Sequence, residues 1–599
     1  MSNEAEKPRP AWVMPARLAL GLAQGVALYL LYRAQDTRGW PAGEPLLFSP
    51  LLMAAAFVPL LVSQALGTMR PRTLLAWAAV ATAITLWAGF YDRLRSQPYV
   101  AAEGISRILP DFPTVLFAFA GLFIAQCLVA AADADRRVIA RYQAYFDAAW
   151  KLGLQAAFAV AFAGAFWIVL WLGAELFELI RLDFLQTLIR HEWFSIPATT
   201  LSIAAAVELT DVRARLIAGI RGVALTLLGW LLPVMTLIAA GFLLTLFFTG
   251  LAPLWATKEA AGGLLTAAAA LVVLVNAAYQ DGNARRPALL RGSEMVAALV
   301  LTPLALLTAY AVWLRVGQYG WTVARLATLD CLIVAAVYAG GYGAAAALAI
   351  VRPGRMPILE RGNVVAAILA LALLGSWFTP FTDPAKLSVD DQIGRLRSGA
   401  VTPGNFDFYY LAQEGGRYGA RALDKLAKLK GDDTRTSLIR GRARAVLRLD
   451  TPTTPPAKPD LARSLTVHPA GAVLPRSFVT QNWAGLQAQL AVPACLTMAG
   501  QMDCDAVMAD LDGDGTDEII VINGHDEYFW GTVMKLDAKG QWLPVANLPG
   551  LHCKGDYQAL IAGTYKVAAP PPPALRDIVV GGHRVPYLLP QTDKLDCTP

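Results

Sequence analysis

The residues richest in potential chemistry lie near the C-terminus, in Asp510-Leu511-Asp512-Gly513-Asp514-Gly515-Thr516-Asp517-Glu518. Carboxylates at alternate positions around a glycine-permitted turn suit a hard cation such as calcium. The expected ligands are the side chains of Asp510, Asp512, Asp514 and Glu518 with the Thr516 carbonyl, in a structural rather than catalytic role. An EF-hand would place Glu at the twelfth position, where this chain has Val521, and the flanking sequence is β-like instead of helical. The plainer alternative is a turn that simply favours Asp and Gly.

Cysteine supplies the second chemistry. Of 6 Cys in the chain, Cys495, Cys504, Cys553 and Cys597 share the last domain, while Cys127 and Cys331 lie in apolar runs. In an exported domain the four imply two disulfides, and of the possible connectivities Cys495–Cys504 with Cys553–Cys597 is favoured. A third candidate is Asp330, an ionisable group inside a long apolar run; such groups are where intramembrane ion or proton sites are sought, although a slide of the helix would bring it to the interface. Glu175, Glu178, Asp183 and His191 follow another apolar run and offer a metal or proton-relay cluster. An exposed helix end salt-bridged through Arg181 is the more ordinary reading. No P-loop, H-E-x-x-H, C-x-x-C or G-x-S-x-G motif occurs, so no catalytic constellation is expected.

These residues sit on an unusual frame. The chain has 599 residues, 56% hydrophobic and only 16% charged, with mean hydropathy +0.46; the charge is well below that of a soluble domain. A net charge of +6 argues against a nucleic-acid stripe. After a cytoplasmic tail, 1–15, a transmembrane domain is expected over 16–380, because crossing needs roughly 20 apolar residues per helix. Spans are read near Ala16–Tyr32, Pro45–Leu66, Thr73–Tyr91, Pro113–Ala132, Leu152–Glu175, Val223–Phe248, Gly263–Tyr279, Met295–Leu314, Ala324–Val351 and Asn363–Pro380. Phe194–Thr210 is a weak candidate, short and carrying Pro197 and Glu208. Positive-inside counting decides for it: with it, segments on the N-terminal side hold 18 Lys/Arg against 10 opposite, and without it the bias inverts to 12 against 16. About eleven helices with the N-terminus inside put everything after Pro380 in the periplasm. Asp133–Lys151 reads as a basic amphipathic stretch along the inner leaflet. Gly340-Gly341-Tyr342-Gly343 reads as close helix packing rather than a dinucleotide fingerprint.

Past the last span, 381–449 reads as a helical module opening with Ser388 as a helix N-cap, 450–460 as a Pro-rich linker, and 461–599 as a β-rich domain. The β pattern is carried by AVMAD, EIIVIN, YFWGTVMKL, WLPVANL and a final DIVVGGHRVPYLL. Ser388-Val389 with Gln392, Phe406-Asp407 with Leu411, and Gly415-Gly416-Arg417-Tyr418-Gly419 resemble the motifs of the bacterial "domain of unknown function 4153" membrane proteins. That resemblance spans roughly Pro15 to Arg448 and implies an integral membrane protein with no assigned activity. The acidic loop is similar to the calcium loops of FG-GAP and integrin-propeller repeats over about 30 residues, one repeat being too little for a propeller.

The expected protein is therefore an α-helical polytopic inner-membrane protein with a small helical module and a small disulfide-bonded, calcium-binding β-domain. Its expected role is non-enzymatic, binding an envelope protein or ligand at a lipid membrane, with no nucleic acid or organic cofactor. A secondary transporter using Asp330 is the alternative, and a membrane-embedded transferase acting on lipid-linked substrates the second.

Overall fold

A bilayer offers backbone amides no hydrogen-bond partner, so apolar segments of this length must satisfy themselves as helices. The computed structural model describes residues 10–97 and 109–450, with interruptions at 252–253, 255–259, 281, 283–286, 352–355 and 432, and between 461 and 585 the elements given below. The chain divides into two units, Met1–Asp450 and Thr451–Pro599.

The first unit opens with α1 (Val13–Asp36), α2 (Pro45–Ala65), α3 (Pro71–Arg95), α4 (Phe112–Asp135), α5 (Tyr142–Glu178), the short α6 (Phe184–Arg190) and α7 (Glu192–Val212). It continues with α8 (Ala214–Thr249), α9 (Ala260–Tyr279), α10 (Ala288–Tyr319), α11 (Val323–Val351) and α12 (Pro357–Ser376). Ten of these are long and apolar enough to cross a membrane. The weak sixth candidate, α7, lies outside that set on composition but matches α1 in reach. Near its start Glu192 accepts from Tyr32 Oη of α1 at 3.1 Å, and near its end Glu208 and Asp211 accept from Arg17 at 2.6 and 2.7 Å. A pair tied at both ends is antiparallel and level, so α7 crosses wherever α1 does. Further along, Arg221 of α8 donates to Asp147 of α5 at 2.8 Å, which brings the starts of α5 and α8 to one end of the bundle.

Gly21 and Gly25 of α1 let α7 come this close. A Cβ on Gly21 would lie 2.5 Å from Ala204 Cβ, and one on Gly25 only 2.4 Å from Pro197 Cα. Small residues four apart are a common device for apposing membrane helices, and the sequence analysis had not singled this pair out. Gly341 and Gly362 face each other between α11 and α12, where an added Cβ would meet the facing Cα at 3.5 and 3.8 Å, an ordinary contact.

One expected element is differently built. Asp133–Lys151 is not a separate surface helix: α4 runs to Asp135, and Tyr142–Lys151 forms the first turns of the 37-residue α5. No breaker separates those turns from the apolar run, and their charges are used within the bundle, Asp147 by Arg221 and Lys151 by Asp211.

The helical module comprises α13 (Pro384–Ser398), α14 (Phe408–Gln413), α15 (Gly416–Ala427) and α16 (Thr434–Asp450), around Val389, Ile393, Leu396, Phe406, Leu411 and Leu423. Its first helix starts earlier than expected. Asp383, not Ser388, is the N-cap: its side chain accepts from Ala385 N at 2.9 Å, and Pro384 fixes the first helical φ.

In the second unit, β1 (Leu465–His468), β2 (Cys504–Ala509), β3 (Glu518–His525), β4 (Tyr528–Leu536) and β5 (Trp542–Leu551) form one sheet in sequence order. The β1–β2 pair is parallel and the rest antiparallel. Residues alternate between faces along a strand. Ile519 and Val521 of β3 pack on one side with Phe478, Trp483, Leu496 and Trp542, while Ile520 and Ile522 pack on the other with Val507 and Tyr557. Coverage of both faces explains why β3 reads as an unbroken apolar run. Three short helices, α17 (Arg476–Thr480), α18 (Ala494–Thr497) and α19 (Asp556–Ile561), and a two-stranded sheet of β6 (Ile578–Val580) and β7 (His583–Val585) complete the described elements.

Candidate functional site

Four polar assemblies stand out against this apolar background. The first joins the helical module to the end of the bundle where α10 stops and α11 starts. Ser388 Oγ donates to Trp321 O at 3.1 Å and meets Tyr410 Oη at 2.7 Å; Tyr410 Oη accepts from Val323 N at 3.0 Å. Gln392 Nε2 donates to the carbonyls of Tyr319 and Trp321 at 3.0 and 2.9 Å, and Asp391 accepts from Trp321 N at 2.8 Å. The residues behind the family resemblance thus bind the open backbone groups of two helix ends, which no intrahelical partner can satisfy. Asp407 caps α14 through Tyr410 N at 2.9 Å.

On the adjoining α3, Tyr91 Oη donates to the fully buried Asp383 at 2.8 Å and lies 3.4 Å from Tyr418 Oη, which accepts from Arg417 at 2.8 Å. The glycines around Tyr418 make room for this contact. A Cβ on Gly416, which has φ +48°, would sit 2.4 Å from Arg95 O, and one on Gly419 would sit 1.8 Å from Leu411 O. Below it, buried Asp92 accepts from Arg93 at 2.6 Å, Arg95 at 3.1 Å and Asp111 N at 3.0 Å.

At the opposite end lies the second assembly. Arg17, fully buried, donates to Glu208, Asp211 and the carbonyls of Ser63 and Leu66 at the end of α2. Lys151 completes it, 3.2 Å from Asp211 Oδ1. At this end too, the Asn276 and Asn363 amides bond each other at 2.8 and 3.1 Å, and Tyr342 Oη donates to Asn363 at 2.9 Å.

The third assembly is Asp330 on α11. Its Oδ2 accepts from Trp377 Nε1 at 2.5 Å, and Trp377 is braced edge-on by Phe117 with ring centroids 4.6 Å apart. Arg325, the nearest cation in sequence, turns away to donate to Gly320 O at 2.6 Å.

The fourth is the acidic loop between β2 and β3. Asp510, Asp512 and Asp514 bring carboxylate oxygens within 4.8 Å of one another, the one such group among the described residues able to share a metal ion. Glycine allows the tight turn, Gly513 and Gly515 having φ +78° and +84°. Asp510 accepts from the backbone of Gly513 and Gly515, Asp514 from Thr516 N, and Glu518 from Leu511 N, at 2.8–3.0 Å. Lys535, which sequence reasoning had missed, reaches in from β4. Its Nζ lies against Asp512 and 3.2 Å from both Asp514 and Glu518. Those hydrogen bonds, led by Asp512, hold the ammonium above the usual lysine range. The Thr516 amide, followed by Lys535, holds Asp514 below the usual carboxylate range. The donor set fits a calcium ion only if Lys535 withdraws, because an ammonium and a divalent ion compete for the same oxygens.

Glu175, Glu178, Asp183 and His191 are exposed around the α5–α6–α7 turns. Glu178 accepts from Gln186 at 3.2 Å and His191 stacks on Trp193, and the four do not gather into one site. Cys495 and Cys504 form a disulfide; Cys553 and Cys597 lie outside the described residues. Buried Asp505, which sequence analysis had not singled out, bonds His468 at 2.8 Å and Tyr557 Oη at 2.6 Å.

Among known proteins, the family model described as "Domain of unknown function (DUF4153)" matches residues 26–426. No curated protein matches the chain. No solved structure matches it either.

Proposed function

This chain belongs to the DUF4153 family, and from that premise we propose a non-enzymatic envelope protein. Its bundle sits in a bacterial inner membrane with the N-terminus cytoplasmic, and its β-domain works in the periplasm, binding or sensing a partner or ligand. The observation that carries this is the use made of the family motifs. Ser388, Gln392 and Tyr418, together with Tyr410 inside the Phe406–Leu411 step, spend their polar atoms on the ends of α10 and α11 and on Tyr91, so they build a docked platform rather than a reactive centre. The Lys/Arg asymmetry supports the orientation. The Cys495–Cys504 disulfide supports an oxidising compartment for the β-domain.

The test is photo-cross-linking in cells from exposed β-domain positions Val473 and Val545, 81% and 56% exposed. A periplasmic binding domain gives one discrete adduct from these positions and none from the same photo-reactive residue at Tyr409 of the helical module, 52% exposed. Absence of any adduct, together with inactivity of a periplasm-only reporter fused after Asp450, overturns the proposal. A transporter is the second reading, favoured by the intramembrane carboxylate of Asp330; it predicts solute uptake abolished by Asp330→Asn.

A further inference from the structure

Asp330 borders a half-open cavity of about 640 Å³ lined by α4, α9, α10, α11 and α12. Its walls are apolar, formed by residues such as Leu265, Val272, Leu301, Val334 and Leu373. The volume falls in the range of small-molecule sites, which combine an apolar lining with a few placed polar groups. Here the principal polar group is a carboxylate. Trp377 satisfies one of its oxygens, and no Lys or Arg among the described residues pairs with it. The contrast with the opposite end of the bundle is informative, because there the carboxylates of Glu208 and Asp211 are matched by Arg17 and Lys151.

A carboxylate inside a membrane helix is costly unless it is paired or hydrated. Among the described residues, one indole N–H is all that offsets that cost at Asp330. Charge complementarity therefore specifies what else would: a cation carried by something that prefers an apolar cavity to water. An anion is repelled by the same group, and a neutral chain leaves it unpaired. We infer that this cavity is a binding site for a lipophilic amine, with its ammonium at Asp330 and its hydrocarbon tail against α9, α11 and α12. This goes beyond the envelope role proposed above and does not depend on which compartment holds the β-domain.

Cys331, exposed and lining the same cavity, provides a reporter. Full-length protein in dodecyl maltoside is treated with N-ethylmaleimide in the presence of octylamine, 1-octanol or octanoate at equal concentration. Alkylation is read at the Cys331 peptide by mass spectrometry, with buried Cys127 as the internal comparison. Octylamine is expected to slow Cys331 alkylation about fivefold when present at roughly four times its dissociation constant. Octanol should protect less and octanoate not at all. Asp330→Asn should reduce octylamine to the level of octanol, and Ala335→Phe, which fills the cavity, should remove protection while keeping the carboxylate. Equal protection by octylamine and octanol in the unaltered protein overturns the proposal, as does full octylamine protection in the Asn variant. The ranking of the three ligands in the unaltered protein decides the matter even if both variants fail to fold.

Discussion

Replacing Arg17 by Met keeps an unbranched apolar stem while removing every hydrogen bond the guanidinium makes. Glu208 and Asp211 then lose the guanidinium, Lys151 stays 3.2 Å from Asp211, and the carbonyls of Ser63 and Leu66 lose a donor. Both carboxylates lie deep, with side chains 11% and 1% exposed. Breaking a buried ion pair by removing one partner costs about 3–5 kcal/mol, and each lost neutral hydrogen bond adds about 1 kcal/mol. Arg17→Met should therefore destabilise the bundle by about 5–7 kcal/mol. Removing Glu208 as well, as Leu, takes away the stranded charge, so Arg17→Met/Glu208→Leu should be less destabilised than the single effects sum to, by about 2 kcal/mol. The assay is unfolding in mixed micelles titrated with SDS and followed by tryptophan fluorescence. A cost under about 1 kcal/mol for Arg17→Met, or a coupling within about 0.5 kcal/mol of zero, would refute the pairing and with it the placement of α7 along α1.

Three further outcomes follow from local geometry. Lys535→Gln should leave the acidic loop short of a cation, so calcium should raise the melting temperature of that variant and barely move that of the unaltered protein; equal calcium responses would show that Lys535 does not hold the cation position. The same clamp has a pH window. Asp514 titrates below its ordinary value, so its contribution is present above pH about 4 and fades as pH falls through the lowered value. Lys535 titrates above its ordinary value, so its contribution is full below pH about 10.4 and is lost only at higher pH. Finally, Gly419→Ala places a methyl 1.8 Å from Leu411 O, and the forced shift of α14 against α15 should cost about 1–3 kcal/mol. Proteolysis near the Gly399 turn should then speed up, and an unchanged cleavage rate would mean the corner relaxes freely.

Much of the architecture was legible because a bilayer leaves so few options. Ten helices could be read from apolar length alone, and α7 from the arithmetic of its neighbours' charges despite Pro197 and Glu208. The residue that makes Glu208 tolerable, Arg17, is 191 positions away, and no local pattern connects them. The acidic loop was equally plain, yet its cation partner was not, since Lys535 comes into range only through the β3–β4 pairing of Ile519 with Met534. Ser388 carried the chemistry of a cap but serves Trp321 and Tyr410, because Pro384 had already begun the helix one turn earlier. β1 was passed over because its 4 residues are too few to show alternation. Asp330 could be flagged from its type and surroundings alone; the cavity beside it, assembled from five helices, could not.

The distance between Arg17 and its carboxylates also sets a sequence of events at the ribosome. Arg17 emerges with the first helix, whereas Glu208 and Asp211 arrive only after another 191 and 194 residues. At about 5–20 residues per second that interval lasts roughly 10–40 s. During it, α1 holds an arginine with no carboxylate to receive it, and the long side chain can reach the headgroups in the meantime. The first helix is therefore made early but locked late, and lateral closure of the bundle waits on the seventh helix.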